Sequence, residues 1–123
     1  MAKIILTVDD SASIRQTVRL TLTGIGYDVM EASSAKTAIA VCAKHAIDTV
    51  ITDLNMPEMS GIELIKELRA KTATKFVPIL MLTTESQPEA KQEGKAAGAT
   101  GWIIKPFTPN QLVADVSKVC PLR

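Results

Sequence analysis

Residues 48–57, Asp-Thr-Val-Ile-Thr-Asp-Leu-Asn-Met-Pro, hold the pattern from which the rest of the chain can be parsed. Asp48–Thr52 is a short run whose apolar positions are adjacent rather than alternating, as in a strand covered on both faces. Asp53 ends the run, and Asn55-Met56-Pro57 supplies turn chemistry. Ser60 then stands where a helix N-cap belongs, and Ile62, Ile65 and Leu68 follow at helical spacing. Strand, turn, cap and helix in that order make one βα unit.

The same grammar extends in both directions. Four more apolar runs are expected as strands: Ile4–Val8, Tyr27–Glu31, Pro78–Leu82 and Trp102–Ile104. Between them lie helical patterns. Ile14, Val18, Leu22 and Ile25 recur at intervals of four and three, as do Leu112, Val116 and Val119 near the C-terminus. Residues 34–45 are Ala-rich, with Ile39 and Cys42 expected inward. Residues 88–97 are mostly Ala, Glu and Lys with Gly94 inside, and a glycine costs about 1 kcal/mol against alanine in a helix. This fourth helix is expected to be the least firmly held. Ser11, Ser33 or Ser34, Ser60 and Thr108 are the expected N-caps. Gly24, Gly26 and Gly98 are expected at helix C-termini, and Pro88 and Pro109 in first turns. Five βα repeats give an α/β fold with a parallel sheet, and right-handed crossovers favour a doubly wound one.

The chain has 123 residues, 46% of them hydrophobic and 22% charged, which suits one folded domain rather than a disordered segment. A formal charge of +1 argues against broad electrostatic binding to nucleic acid or membrane. With aromatics at 3%, base-stacking platforms are not expected either. Cys42 and Cys120 form no C-x-x-C pair and are expected as free, partly buried thiols. There is no signal-peptide pattern and no apolar stretch of membrane-spanning length, so a cytoplasmic location is expected.

The residues that carry chemistry cluster at the carboxyl ends of the strands. Strand 1 ends in Asp9-Asp10, strand 3 in Asp53, strand 4 in Thr83-Thr84 and strand 5 in Lys105-Pro106. In the doubly wound order 2-1-3-4-5, a choice that the resemblance described below supports, these four strands are consecutive, about 4.8 Å apart. Taken singly, Asp9 or Asp10 is a helix-cap candidate, Asp53 a turn residue, Thr83 a strand-end hydroxyl on backbone, and Lys105 a solvent-facing cation. Taken together, one topology brings all of them to one edge. Like carboxylates at 4 Å repel by about 4 kcal/mol at an effective dielectric near 20. Protonation, Lys105 or a bound cation must offset that repulsion. Hard oxygen ligands suit Mg²⁺. His45 is expected on the second helix, away from this edge, so zinc has no support. A cation beside Asp53, with Thr83 and Lys105 opposite, is suited to trapping a phosphoryl group on an aspartyl nucleophile.

Four segments carry a resemblance that spans nearly the whole chain. They are Val8-Asp9-Asp10-Ser11, Asp53-Leu54-Asn55-Met56-Pro57 with Gly61, Met81-Leu82-Thr83-Thr84, and Gly98-Ala99 through Lys105-Pro106-Phe107. The chain resembles the response-regulator receiver family, a flavodoxin-like (βα)5 fold with sheet order 2-1-3-4-5, and residues 1–123 read as a single receiver domain with no DNA-binding output. The resemblance implies Asp53 as phosphoacceptor and Thr83 and Lys105 as phosphoryl-binding residues. It implies Mg²⁺ held by Asp10, Asp53 and the Asn55 backbone carbonyl, with Asp9 acting through a metal-bound water. It implies a cis Lys105–Pro106 peptide and places Trp102 at the position of the family's switch aromatic, usually Tyr or Phe, opposite the switch threonine Thr83. An indole is bulkier than a phenol ring, which sets this pair apart. Asn55 and Glu85 flank the expected path of the hydrolytic water and would tune dephosphorylation. Asp-Asp-Ser-Ala-Ser-Ile-Arg and Leu-Thr-Thr-Glu-Ser are similar to single-domain, CheY-like chemotaxis regulators. That implies a CheA-like sensor histidine kinase as donor and the flagellar motor switch or another chemotaxis machine as output, with a phosphate sink or another phosphorelay as the alternative. Such a protein is a switch rather than an enzyme acting on other substrates.

Three other functions use a similar fold or a similar nucleophile. A haloacid-dehalogenase-type hydrolase wants an aspartate two residues after its nucleophile, where this chain has Asn55, and also wants a cap domain. A flavodoxin-like FMN carrier wants a hydroxyl- and amide-rich phosphate loop, where Asp9-Asp10 would repel the anion. An unphosphorylated binding module on the same scaffold usually lacks an acidic, threonine or lysine position, and none is missing.

Overall fold

The computed structural model describes residues 2–84 and 88–122. Five strands and five helices alternate: β1 (Ile4–Val8), α1 (Ala12–Thr23), β2 (Asp28–Ala32), α2 (Ala35–Lys44), β3 (Thr49–Asp53), α3 (Gly61–Arg69), β4 (Ile79–Thr84), α4 (Pro88–Ala97), β5 (Gly101–Lys105) and α5 (Pro109–Val119). The strands form one parallel sheet in the order β2-β1-β3-β4-β5. It is the α/β, flavodoxin-like (βα)5 architecture that the resemblance implies.

Each face of the sheet has its own core. Leu6, Val8, Val50, Ile79 and Met81 point to one side, under α2, α3 and α4. Ile5, Ile51, Leu80, Leu82 and Ile103 point to the other, under α1 and α5. Because side chains alternate along a strand, this two-sided burial explains why the strand sequences are apolar throughout. No helix among the described residues is long and apolar enough to cross a membrane.

The cap signals read from sequence are mostly met. Ser11, Ser34, Ser60 and Thr108 cap α1, α2, α3 and α5, and the last two complete capping boxes with Glu63 and Gln111. Of the glycines, Gly26 (φ 113°) and Gly98 (φ 112°) take the left-handed conformation, whereas Gly24 caps α1 in a right-handed one. Ile25 departs from its expected inward place. The helix stops at Thr23, and Ile25 sits in the following turn, 41% exposed.

Four strands differ from their expected ranges by one or two residues at each end, β4 running on to Thr84, and the starts shift for local reasons. Tyr27 precedes β2 as a core residue whose hydroxyl donates to the Cys120 carbonyl. Asp48 precedes β3 because its carboxylate accepts the Ile4 N–H at 2.8 Å. Pro78 lends only its carbonyl, to Val50 N–H at 3.0 Å, having no N–H for the ladder. β5 extends to Gly101 and Lys105, where pairing with Leu80 and Thr84 begins and ends. Cys42 and Cys120 are free and buried, and burial pushes the Cys42 thiol up, away from thiolate reactivity.

Candidate functional site

The carboxyl edge of the sheet is built from the backbone outward. Asp9 follows the last residue of β1, and its N–H donates to Ala32 O at 3.1 Å, extending the ladder with β2. Its Oδ1 accepts the Ser11 N–H at 2.9 Å, and Ser11 in turn caps α1 through the Ile14 N–H. Asp9 therefore braces the cap residue, and neither Asp9 nor Asp10 caps the helix itself. Arg15, one turn into α1, donates to the Asp9 carbonyl at 2.6 Å and pairs with Glu31 at 3.2 Å. Arg15 pins the β1–α1 loop, a role with no signal in the linear sequence.

Asp53 ends β3 and is buried. The start of α3 packs directly upon it. An added Cβ on Gly61 would lie 2.2 Å from the Asp53 carbonyl oxygen, so only glycine permits this approach. The Gly61 N–H donates to Leu54 O at 2.9 Å, closing the β3–α3 loop, and the cap on Ser60 fixes the helix start.

Asp9, Asp10 and Asp53 each offer a carboxylate oxygen, and the three atoms lie within 4.8 Å of one another. Asp9 is buried and Asp10 exposed, a difference that two adjacent aspartates do not reveal in sequence. Lys105 Nζ lies 2.7 Å from Asp53 Oδ1 and 3.8 Å from Asp9 Oδ2. Asp9 Oδ2 is buried and makes no hydrogen bond among the described residues. Burial pushes the Asp9 carboxyl above its ordinary range. The Ser11 N–H opposes this, Asp53 adds to it, Lys105 opposes it and Asp10 adds a little. One ammonium thus faces three carboxylates, and the residual charge together with an orphaned oxygen suits a hard divalent cation.

Register sorts the remaining residues. Thr7 pairs with Ile51, Asp53 with Leu82 and Thr84 with Lys105, so Asp9, Asp53 and Lys105 share the face toward α1 and α5. Thr83 is buried one position further along β4, on the opposite face, with its hydroxyl on the Thr84 carbonyl at 3.4 Å. Trp102 pairs with Met81 and shares the Thr83 face, but it lies outside the acidic cluster on the edge strand β5. Its ring lies beneath Lys91 of α4, with Nζ 5.7 Å from the centroid. Asn55 is exposed in the β3–α3 loop and lines a cavity of about 490 Å³ with Leu54, Glu63, Glu89 and Glu93. Glu85 lies outside the described residues. His45 ends α2, exposed, and is not among the residues gathered at the cluster. The Lys105–Pro106 peptide is cis.

Residues 5–117 match the response regulator receiver domain. The chain belongs to this family. Chemotaxis protein CheY-3 of Vibrio cholerae is 40% identical over 116 residues, spanning 94% of this chain and 89% of that one. The solved structure of Vibrio cholerae CheY4 superposes with a TM-score of 0.93 at 50% identity, over 97% of this chain and 99% of that one. The phosphate regulon transcriptional regulatory protein PhoB of Pseudomonas aeruginosa is 38% identical over 97% of this chain, which spans 52% of PhoB. The protein is thus a receiver of two-component signalling with CheY-type relatives, and the hydrolase and flavin-carrier readings have no support among these matches.

Within the receiver, the acidic cluster and Lys105 meet as the strand order requires. Thr83 stands beside the cluster on the other face of the sheet.

Proposed function

We propose that this receiver accepts a phosphoryl group on Asp53 from the phosphohistidine of a sensor histidine kinase and thereby switches a protein-binding surface. The observation that carries this reading is Lys105 Nζ at 2.7 Å from Asp53 Oδ1, inside a cluster of three carboxylates. In the step, an Asp53 carboxylate oxygen forms a bond to phosphorus as the phosphorus–nitrogen bond of the donor breaks, and the imidazole nitrogen keeps the electron pair. Lys105, already seated on the carboxylate, holds positive charge against the incoming phosphoryl oxygens. Asp10, Asp53 and the Asn55 backbone carbonyl would hold Mg²⁺, with Asp9 reaching it through a water. Bound there, the ion supplies charge neutralisation for the phosphoryl oxygens.

Thr83 starts on the face opposite Asp53, so its hydroxyl meets a phosphoryl group only when the end of β4 and the start of α4 move. The phosphoryl group shifts the equilibrium by as much as it stabilises that moved arrangement over the resting one. Trp102 is the aromatic partner of this switch, on the same sheet face as Thr83. Asn55 and Glu85 tune hydrolysis of the acyl phosphate. The receiver acts as a signalling switch, catalysing only its own phosphorylation and dephosphorylation.

The CheY-type relatives support a cytoplasmic chemotaxis role, with a CheA-like kinase as donor and the flagellar motor switch as output. The similarity to PhoB, a regulator of another system, keeps a phosphate sink or a different phosphorelay as the second reading. Radiolabelled acetyl phosphate with Mg²⁺ tests the chemistry. Label should enter the wild type, disappear on chelation, and be absent from Asp53→Asn. Label persisting in that variant would remove Asp53 from the role. Pull-down of motor and kinase components by the phosphorylated form separates the two pathway readings.

A further inference from the structure

We propose that Lys91 is a positioning residue that sets the resting place of α4 by gripping the Trp102 indole on the neighbouring edge strand. The inference rests on the switch reading above, in which α4 moves.

Helix α4 meets the sheet through small residues. Ala90 and Ala97 are partly buried, and Gly94 between them is the one fully buried residue of the helix. Such a stripe offers little area to hold a helix in place. Lys91, one position round from that stripe, is itself half-buried, as a lysine is when its aliphatic stem lies along apolar surface. Its stem runs toward β5, and its ammonium lies 5.7 Å from the Trp102 ring centroid, inside the range where a cation is attracted to the ring face. Lys91 makes no ion pair among the described residues. Glu89 and Glu93 of the same helix line the cavity toward α3 instead.

Trp102 is 39% exposed and sits on an edge strand, so its ring is half covered by protein. The grip spans from α4 across β4 to β5. It opposes any displacement of α4 that carries Lys91 off the ring. At exposed sites such a contact is worth roughly 0.5–1 kcal/mol, a 2- to 5-fold bias in a two-state equilibrium. The bulk of the indole at this position then has a use: its broad face is a better seat for an ammonium than a phenol ring.

The test uses Trp102 as its own reporter, since it is the single tryptophan of the chain. Acrylamide quenching is measured on unphosphorylated wild type, Lys91→Gln and Lys91→Arg, followed by titration with acetyl phosphate and Mg²⁺. The expected result is stronger quenching in Lys91→Gln, a 2- to 5-fold lower acetyl phosphate concentration at the half-point of its response, and return of both readings in Lys91→Arg. Equal quenching in wild type and Lys91→Gln overturns the proposal, as does a response half-point that is the same in all three proteins. Failure of wild type to take up label from acetyl phosphate overturns the phosphoacceptor reading, while the quenching comparison still decides whether Lys91 covers the ring.

Discussion

Helices α3 and α4 lie side by side on the same face of the sheet, and they are held in opposite ways. α3 begins with a capping box and buries Ile62, Leu64, Ile65 and Leu68. At its start Gly61 is seated on the Asp53 carbonyl. At its end Arg69 donates to the carbonyls of Thr74, Val77 and Gly98 at 3.0, 2.6 and 2.9 Å. α4 buries a single glycine and otherwise rests on alanines and the Lys91–Trp102 contact. The helix seated on Asp53 is rigidly built, and the helix that the switch reading requires to move is lightly attached. Local stability follows this division, because elements with little buried apolar surface are the ones that shift at small cost.

Arg69 joins the two helices. Its bond to Gly98 ties the C-terminal end of α4 to α3, and an added Cβ on Gly98 would meet the Arg69 side chain at 2.9 Å. The fixed end of α4 is therefore the one remote from Asp53, and freedom is left to the end nearest the acidic cluster.

The contrast predicts a graded series of stability changes. Ile65→Ala, which empties a fully buried seat in α3, should cost about 4 kcal/mol in urea denaturation. Gly61→Ala should cost about 3 kcal/mol, because the added methyl meets backbone that cannot yield. Gly94→Ala in α4 should change stability by less than about 1 kcal/mol. The clash there, 2.7 Å to Met81 Cε, is with the tip of a flexible side chain, and alanine regains helix propensity. A Gly94→Ala cost as large as that of Gly61→Ala would erase the distinction between the two helices.

The smallest effect concerns Asp9. Its carboxyl is raised, chiefly by burial, so the folded state binds that proton more tightly than the unfolded chain does. Stability contributed by this group falls as pH rises from the ordinary aspartate value of about 3.9 through the raised one, and is level above it. Asp9→Asn, which keeps an acceptor for the Ser11 N–H, should melt at a higher temperature than wild type at pH 7 in metal-free buffer. Its advantage should shrink as pH is lowered through that window. A lower melting temperature at pH 7 would show that the buried charge is already compensated by Lys105.

Much of this architecture is legible in the sequence, for identifiable reasons. Strands covered on both faces are continuous apolar runs, and Ser60 and Thr108 carry their capping partners three residues on, so class and element order follow. Boundaries slip where one residue does something local, as Asp48 does in capping Ile4. Gly94 illustrates the limit: in sequence it reads as a weak point, and in three dimensions it is the place where Met81 fits. The acidic cluster and Lys105 are legible once the strand order, which the resemblance helps to choose, brings them to one edge. The burial of Asp9 beside exposed Asp10, the opposite facing of Thr83, and the Lys91–Trp102 contact are not. They depend on register and on where long side chains reach after the layers have packed.

On the proposed function, Asp53, and no neighbouring carboxylate, takes the phosphoryl group. Borohydride reduces an aspartyl phosphate to homoserine, which marks the acceptor permanently. After treatment with acetyl phosphate and Mg²⁺, then borohydride, tandem mass spectrometry of the peptide spanning Asp48–Pro57 should place homoserine at Asp53. Homoserine at Asp9 or Asp10, or an unmodified Asp53 in protein that has taken up label, would contradict the account.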